Sequence, residues 1–533
     1  MNKELTCFQS LDWNKTCHIV LVVALLLPLM ALGPVSNVTP RTQPALLQLA
    51  AARPDEVVSV IVQKMVKDTQ VESLVARQGG TVTADLHIIN AFAVRLPARA
   101  AVALATEPGV RWVSLDAPMV EASKFVTTTS KSKFVTTTST SAGGMVAVQP
   151  ANVYPVAIKV DQVWMTTTQA LKGQGIAVAV IDSGIAASHP DFKDGTGQSR
   201  VVASVYINSA ASNANDTYGH GTHVAGIIGG NGQLSGGAYT GVAPQVNLVN
   251  VRVSDDLGNV TTSDVVAGMQ WVYEHASQYN IRVVNLSVNS SINQSYDVDP
   301  LDAAAEILWF NKIVVVTAAG NLGKHALYPP ANDPFVITVG AMDDQGTPEV
   351  GDDTPAGFSA YGKTYDGFAK PDLAAPGVNL ISTLASSDAV LAMAHADHMI
   401  SGYTPSPAYF RMSGTSVAAP VVAGAAALIL QQNPNLTPDQ VKFRLMTTAR
   451  GNLGNVATGA GYLDVYAAVY GTSIKSANTG TPASHLLWTG PTPLNWTSAN
   501  WGSANWGSAN WGSANWGSAN WGSANWGCDF WDN

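Results

Sequence analysis

The chain has 533 residues, which is too long for one ordinary domain and favours roughly three or four. Hydrophobic residues make up 46% of it, enough for a large core, whereas charged residues make up 12%, about half of the usual fraction. The net charge of −9 and the lack of a basic stripe exclude the electrostatics of nucleic-acid binding, so we expect no nucleic-acid partner.

The N-terminus has the features of an export signal. Two lysines precede an apolar stretch, residues 19–32, whose length suits a signal peptide better than a membrane span. We therefore predict a signal peptide over residues 1–33 and a secreted, extracellular protein. The alternative is an uncleaved N-terminal membrane anchor, because the residues after the apolar stretch match a cleavage site poorly. Removal of this segment would also remove Cys7 and Cys17 and leave Cys528, which excludes a disulfide framework.

Residues 53–121 alternate between strand-like and helical segments in the order β-α-β-β-α-β. This order is typical of a small ferredoxin-like α+β domain, a fold that serves many functions. The following residues, 122–152, are rich in Thr and Ser and contain the heptamer KFVTTTS twice. Because this composition cannot build a core, we predict an exposed linker that is open to proteolysis.

Apolar β-rich runs alternate with helical stretches between residues 153 and 472. Near-continuous Val and Ile runs such as IAVAVI and KIVVVT are typical of strands that are buried on both faces. We therefore predict an α/β domain with a mostly parallel central sheet, whose functional side chains lie at the carboxyl ends of the strands.

Four polar residues in this domain occupy strand ends or helix starts. They are Asp182 in VIDSG, His220 in HGTHVAG, Asn321 in TAAGN and Ser416 in GTSVAAP, which opens a wholly apolar stretch. Each residue alone is explained by a turn or a helix cap. Together they supply an orienting carboxylate, an imidazole base, an amide donor and a hydroxyl nucleophile, the set that acyl transfer needs.

Other histidines in the domain do not form a metal pattern. His223 lies three residues after His220 without an HExxH motif or a third ligand, so we interpret it as a packed structural residue. His395 and His398 lie in an insertion, residues 386–411, and are interpreted as loop residues. We assign no metal ligand.

These motifs, together with GVAP at residues 241–244, resemble those of the subtilisin-like serine peptidases (subtilases, peptidase family S8). The resemblance covers roughly three-fifths of the chain. It implies a subtilisin-like three-layer α/β fold and a serine endopeptidase that works through an acyl-enzyme without a cofactor. Ser416 is implied as the nucleophile, His220 as the general base and acid, and Asp182 as its orienting partner. Asn321 is implied as an oxyanion donor, together with the backbone N–H of Ser416.

The resemblance also implies a substrate pocket and raises the question of calcium. The first specificity pocket falls at Ser287, Val288, Asn289 and Gly320, and NLSVNS has Val288 and Asn289 where the family has small residues. We therefore expect an altered pocket. Asp191 matches a family calcium ligand, but the loop that completes that site differs here, so a structural calcium ion is left as an alternative.

The family resemblance gives the N-terminal domain a role. Many subtilases carry a ferredoxin-like propeptide of the inhibitor I9 type that assists folding and inhibits the active site until it is removed. Residues 53–121 resemble such a propeptide, and we predict the maturation site within residues 122–152. The protein's own propeptide is therefore an expected partner, besides protein or peptide substrates.

The C-terminus consists of a predicted linker, residues 473–492, and a repeat tail, residues 493–533. Tryptophan recurs every fifth residue from Trp496 to Trp526, a period that fits neither a strand nor an α-helix. The alternatives are disorder, a tail that docks on cell-wall or polymer surfaces, and a coil resembling the pentapeptide-repeat solenoids.

Two functions follow from these features. The first is a secreted, self-processing serine endopeptidase made as a zymogen. The alternative is a surface-binding protein with a catalytically silent subtilase scaffold, in which the tryptophan tail attaches the protein to its target.

Overall fold

A computed structural model describes residues 41–121, 152–166, 170–403, 408–451 and 456–487. The predicted signal peptide, almost all of the Thr/Ser-rich linker and the tryptophan tail lie outside the described residues.

The N-terminal part of the described chain is a small α+β unit with its own core. Its elements are α1 (Pro44–Ala52), β1 (Val57–Lys64), α2 (Gln70–Arg77), β2 (Thr81–Leu86), β3 (Ala91–Pro97), α3 (Ala98–Leu104), β4 (Val110–Leu115) and β5 (Met119–Glu121). The strands form a sheet in the order β2-β3-β1-β4, with antiparallel neighbours. From β1 to β4 the elements follow the predicted β-α-β-β-α-β order. Helix α1, which was not predicted, precedes them and buries Leu46.

The remainder is an α/β domain built on an eight-stranded sheet. Its helices are α4 (Tyr154–Ala157), α5 (Val160–Trp164), α6 (His220–Gly229), α7 (Thr262–Tyr279), α8 (Pro300–Phe310), α9 (Val390–Ala394), α10 (Thr415–Gln432), α11 (Pro438–Thr448) and α12 (Val465–Tyr470). Its strands are β6 (Ala177–Asp182), β7 (Val201–Tyr206), β8 (Asn247–Arg252), β9 (Ile281–Leu286), β10 (Val288–Ser290), β11 (Val314–Ala318), β12 (Ile337–Asp343), β13 (Thr354–Pro355), β14 (Gly362–Lys363), β15 (Ala369–Lys370), β16 (Leu373–Pro376), β17 (Leu380–Thr383), β18 (Met399–Ile400) and β19 (Tyr409–Met412).

The central sheet is mostly parallel, as the sequence predicts. Its order is β13-β12-β11-β9-β6-β8-β7, with β16 also paired to β12, and β13 is its antiparallel member. Every residue of β6 and of β11 is buried. Helix α7 packs on β6, β8 and β9, and helix α10 packs on β9, β11 and β12. Strands buried on both faces explain the continuous Val and Ile runs in the sequence.

Helix α10 passes through the middle of this domain. All side chains from Thr415 to Leu430 are buried. The helix is long and apolar enough to cross a membrane by length and composition, but 89% of its apolar window is buried inside the protein. It is therefore a core helix, as expected from a stretch without polar side chains.

The N-terminal unit is joined to the α/β domain through strand β5. Strand β5 pairs antiparallel with β10, so that Met119 lies opposite Ser290 and Glu121 opposite Val288. Just before β5, the carboxylate of Asp116 accepts hydrogen bonds from the backbone N–H and the hydroxyl of Ser263, both at 2.8 Å, near the start of α7.

Residues 473–487, predicted as part of a linker, run along both parts of the structure. We call this segment the C-terminal strap. The guanidinium of Arg111 in β4 donates to the carbonyl oxygen of His485 at 3.3 Å. The backbone N–H of Ser484 donates to the carboxylate of Glu306 in α8 at 2.8 Å. The strap therefore contacts the N-terminal unit and the α/β domain at the same time.

Helix α8 carries two fully buried acids, Asp302 and Glu306, one turn apart. Neither carboxylate oxygen of Asp302 has a hydrogen-bond partner among the described residues. Burial, reinforced by the nearby charges of Asp299 and Asp333, raises the pKa of Asp302 well above its ordinary value. An ionised carboxylate in this position costs stability because nothing replaces its hydration.

We predict that Asp302→Asn stabilises the protein at high pH. A carboxyl group with a raised folded-state pKa contributes stability below its unfolded-state value, near 3.8, and loses it as the pH rises through the folded-state value. The neutral amide avoids this loss. In a Ser416→Ala background, the Tm should rise by about 2–4 °C at pH 8, corresponding to about 1 kcal/mol, and change little at pH 4.

Thermal unfolding followed by circular dichroism at the two pH values measures this effect. The matched control is Asp397→Asn, because the Asp397 side chain is 80% exposed and should leave the Tm unchanged at both pH values. A lower Tm of Asp302→Asn at pH 8 would contradict the prediction.

Candidate active site

Asp182 and His220 form a buried pair at the carboxyl edge of the sheet. Asp182 is the last residue of β6, and His220 is the first residue of α6. His220 Nδ1 lies 2.8 Å from Asp182 Oδ1. The side chain of His220 is 1% exposed and that of Asp182 is 3% exposed. The carboxylate therefore fixes the orientation of the imidazole.

A second acid, Asp216, holds the turn that leads into α6. Its carboxylate accepts hydrogen bonds from the hydroxyl of Ser183 at 2.9 Å, the N–H of Gly219 at 2.7 Å and the N–H of Thr222 at 2.8 Å. Gly219 adopts a φ of 107°, in the region that favours glycine. Burial raises the pKa of Asp216, whereas the hydrogen bonds lower it.

The sequence analysis did not identify Asp216. The available signal was an acid four residues before His220, separated from it by a turn that ends in glycine. By binding Ser183, the neighbour of Asp182, and the first turn of α6, Asp216 fixes the spacing between Asp182 and His220.

Ser416 lies in the first turn of α10, directly after Thr415. Its side chain is buried, and its hydroxyl makes no hydrogen bond within the part of the chain that the structure describes. The backbone carbonyl of Ser416 accepts a hydrogen bond from the hydroxyl of Ser287 at 2.9 Å. The N-terminus of a buried helix favours negative charge, so a developing anion next to Ser416 would be stabilised.

Asn321 lies against the same helix start. Its side-chain oxygen accepts hydrogen bonds from the backbone N–H and the hydroxyl of Thr415, both at 3.0 Å. These bonds fix the orientation of the amide group. The N–H of Gly320, with a φ of 105°, also donates to the Thr415 hydroxyl at 3.0 Å.

The structure brings the predicted pocket residues next to these groups. Val288 is buried and lines one small cavity together with Asp182 and His220. The side-chain amide of Asn289 donates to the carbonyl oxygen of Ala318 at 3.0 Å. Val288 thus lies with Asp182 and His220, whereas Ser287, Gly320 and Asn321 contact the first turn of α10 at Thr415 and Ser416. The roles of these residues stay predictions.

His223 lies three residues after His220 in α6 and is fully buried. Its Nε2 lies 3.0 Å from the carbonyl oxygen of Phe410, to which it donates. Burial lowers the pKa of His223 to about 3, so the ring is neutral at ordinary pH. This environment agrees with the structural role predicted for it.

Asp191, the residue that matches a family calcium ligand, is bonded to protein groups. Its Oδ2 accepts a hydrogen bond from the hydroxyl of Tyr409 at 2.7 Å, and its Oδ1 accepts one from the N–H of Leu234 at 3.0 Å. Within the described ranges, no group of three or more His, Cys, Asp or Glu side chains is arranged to hold a metal ion.

Comparisons with known proteins agree with this geometry. Serine protease AprX of Bacillus subtilis (strain 168) is 40% identical over 286 residues, which cover 51% of this chain and 61% of AprX. Subtilisin DY of Bacillus licheniformis is 36% identical over 316 residues, which cover 58% of this chain and 96% of subtilisin DY. The chain thus spans about three-fifths of AprX and nearly all of subtilisin DY.

A solved structure has the same fold. The crystal structure of fervidolysin from Fervidobacterium pennivorans, described as a keratinolytic enzyme related to subtilisin, superposes with a TM-score of 0.58 at 26% sequence identity. The match covers 79% of this chain and 62% of fervidolysin.

Two family models match separate parts of the chain. Residues 494–528, within the predicted repeat tail, match the model of pentapeptide repeats. Residues 173–474, more than half of the chain, match the subtilase family model and include all four predicted catalytic residues. The chain therefore belongs to the subtilase family, and its α/β domain is a serine endopeptidase domain of the subtilisin type.

Proposed function

We propose that the protein is a secreted serine endopeptidase that is made as a zymogen and processes itself. The observation that carries the proposal is the buried pair of Asp182 and His220, whose side chains are 2.8 Å apart. Ser416, at the start of a buried helix, supplies the third residue type of the predicted set. A surface-binding protein would not need this arrangement of a base, its orienting acid and a hydroxyl nucleophile.

The proposed reaction is peptide-bond hydrolysis through an acyl-enzyme. Ser416 Oγ attacks the carbonyl carbon while His220 accepts the hydroxyl proton, and Asp182 stabilises the resulting imidazolium. His220 then transfers the proton to the leaving amine, and a water molecule hydrolyses the ester by the same route. The Ser416 hydrogen bond to His220 would form when substrate binds, since such contacts are often longer in the free enzyme.

The oxyanion of the tetrahedral intermediate would be held by two donors. One is the side-chain amide of Asn321, whose oxygen is held by Thr415. The other is the backbone N–H of Ser416 at the start of α10. Donors that are already oriented stabilise the transition state without further reorganisation.

The N-terminal unit is proposed as an intramolecular inhibitor. Strand β5 extends β10 by antiparallel pairing, which is how an extended peptide adds to a sheet edge. It thereby occupies the edge on which an extended substrate would bind. The bonds from Ser263 to Asp116 and the contacts of the C-terminal strap support retention of the unit in this position.

The direction of β5 supports a maturation site shortly after this strand. Strand β5 runs antiparallel to β10, from Met119 opposite Ser290 to Glu121 opposite Val288. Ser287, the residue before Val288 in the chain, contacts Ser416. The described chain of the N-terminal unit therefore ends, at Glu121, on the strand that follows Ser287. We propose that self-cleavage occurs within the first few residues of the Thr/Ser-rich linker.

Export and surface attachment complete the proposal. The apolar N-terminal stretch supports secretion, with the membrane anchor as its alternative. The pentapeptide-repeat match and the regular tryptophans support attachment of the tail to a cell-wall or polymer surface. Protein or peptide substrates follow from the proposed peptidase activity.

We predict that a serine-directed fluorophosphonate labels the full-length protein but not its Ser416→Ala variant. Intact mass measurement should show that the active protein loses its N-terminal part up to a position shortly after Glu121, whereas the variant stays uncut. If the full-length protein with Ser416 intact is neither labelled nor cut, the result would contradict the proposed peptidase activity and favour a catalytically silent scaffold. A labelled protein whose new N-terminus lies beyond residue 152 would contradict the maturation site alone.

We predict that Asn321→Ala lowers kcat by about 10²–10³-fold, the loss caused by removing one oxyanion donor in subtilisin, a relative of this chain. KM should change little because the donor acts mainly on the transition state. Steady-state kinetics on a peptide substrate, with Tm as a folding control, measures the effect. An unchanged kcat, or an activity loss fully explained by unfolding, would rule out this role.

A structural calcium ion stays an untested alternative, and its removal is a direct test. Because both oxygens of Asp191 already accept protein hydrogen bonds, we expect the Tm of the Ser416→Ala protein in EDTA to lie within about 2 °C of that in calcium, a difference of less than about 1 kcal/mol. A larger drop that calcium reverses would establish a bound ion.

A further inference from the structure

The side chain of Asn289 spans the gap between the two segments that flank Ser416. On one side, β10 begins directly after Ser287, whose hydroxyl contacts the Ser416 carbonyl. On the other side, the segment from Ala318 to Asn321 contacts Thr415. The specificity pocket that the family resemblance implies lies between these two segments, where the residue that carries the attacked carbonyl would place its side chain.

Asn289 occupies that gap. Its side-chain nitrogen donates to the carbonyl oxygen of Ala318 at 3.0 Å, and it is only 6% exposed. Its side-chain oxygen lies 3.4 Å from the position that a Cβ atom would take on Gly320. The amide is thus held to the opposite segment by its hydrogen bond to Ala318, with its oxygen directed towards Gly320.

We infer that Asn289 restricts the residue on the N-terminal side of the cleaved bond to small side chains, namely glycine, alanine and serine. The inference rests on the proposed peptidase function and names the substrate class of the same site. A larger side chain would have to break the hydrogen bond to Ala318 and rotate the amide away, which leaves a buried carbonyl oxygen unpaired.

The sequence of the chain itself is consistent with this restriction. Strand β5 carries the chain towards Ser416, and the residues that follow Glu121 are Ala122 and Ser123. Both have small side chains. A self-cleavage site at either residue would therefore meet the size limit proposed for Asn289.

The test compares two peptide substrates that differ only in this residue, alanine or phenylalanine, with the mature enzyme obtained from the full-length protein. The wild-type enzyme should show a higher kcat/KM for alanine. Asn289→Gly removes the side chain and should raise kcat/KM for phenylalanine by about 10–100-fold, in the range by which pocket size discriminates between apolar side chains. The readout is the ratio of the phenylalanine value to the alanine value, because a general loss of activity in the variant lowers both values and leaves their ratio unchanged.

Ser290→Gly is the matched control. It introduces the same backbone flexibility into β10 without removing the amide, so the ratio of the two kcat/KM values should stay that of the wild type. Asn289→Ala also removes the amide and serves as a second variant in case Asn289→Gly does not fold. It should shift the ratio of the two kcat/KM values in the same direction.

The outcomes separate the inference from the function on which it rests. A wild-type enzyme that cleaves the phenylalanine substrate as well as the alanine substrate overturns the inference, as does an unchanged ratio in both Asn289 variants. Failure to cleave either peptide, together with absence of fluorophosphonate labelling, overturns the peptidase function itself. Cleavage of a denatured protein mixture by the wild-type enzyme, read by mass spectrometry, should give ends that are enriched in glycine, alanine and serine.

Discussion

Helix α10 packs inside the α/β domain against β9, β11 and β12, with no solvent-exposed face along residues 415–430. This burial fixes the position of Ser416, because the first turn of the helix cannot move without disturbing the core. The same packing places the helix N-terminus at the carboxyl edge of the parallel sheet, where β6 ends at Asp182. Ser416 and Asp182 are thus positioned by two rigid elements, and His220 is positioned by a third, α6.

Side-chain hydrogen bonds refine this arrangement. Asp216 links the turn before α6 to Ser183, and Thr415 links α10 to Asn321. Each such bond contributes about 1 kcal/mol to stability, but loss of one partner leaves a buried polar group that costs more. The groups around the site are therefore interdependent, and a change in one of them alters the orientation of its neighbours.

Strand β10 takes part in two of the proposals, the inhibition by the N-terminal unit and the restriction of substrate size. Its edge pairs with β5 of the N-terminal unit, and its middle residue, Asn289, spans the gap beside Ser416. The C-terminal strap contacts both the N-terminal unit and helix α8, so it helps to hold the two parts of the structure together.

The sequence by itself determined the mostly parallel sheet and the buried helix α10, and it predicted Asp182, His220, Asn321 and Ser416 as the catalytic residues. These features are local, because continuous Val and Ile runs, an unbroken apolar stretch and short motifs can be recognised without knowing what packs against them. The sequence also predicted the strand and helix order from β1 to β4, although it missed α1.

Only the tertiary structure decided the rest. The role of Asp216, the strap across the N-terminal unit and the position of Asn289 in the gap beside Ser416 all depend on contacts between residues distant in sequence. The sequence indicated that Asn289 alters the pocket, but its direction could not be read, because an asparagine side chain can face solvent, a turn or a pocket. The carbonyl oxygen of Ala318, 29 residues away in the chain, supplies the partner that holds Asn289 across the gap.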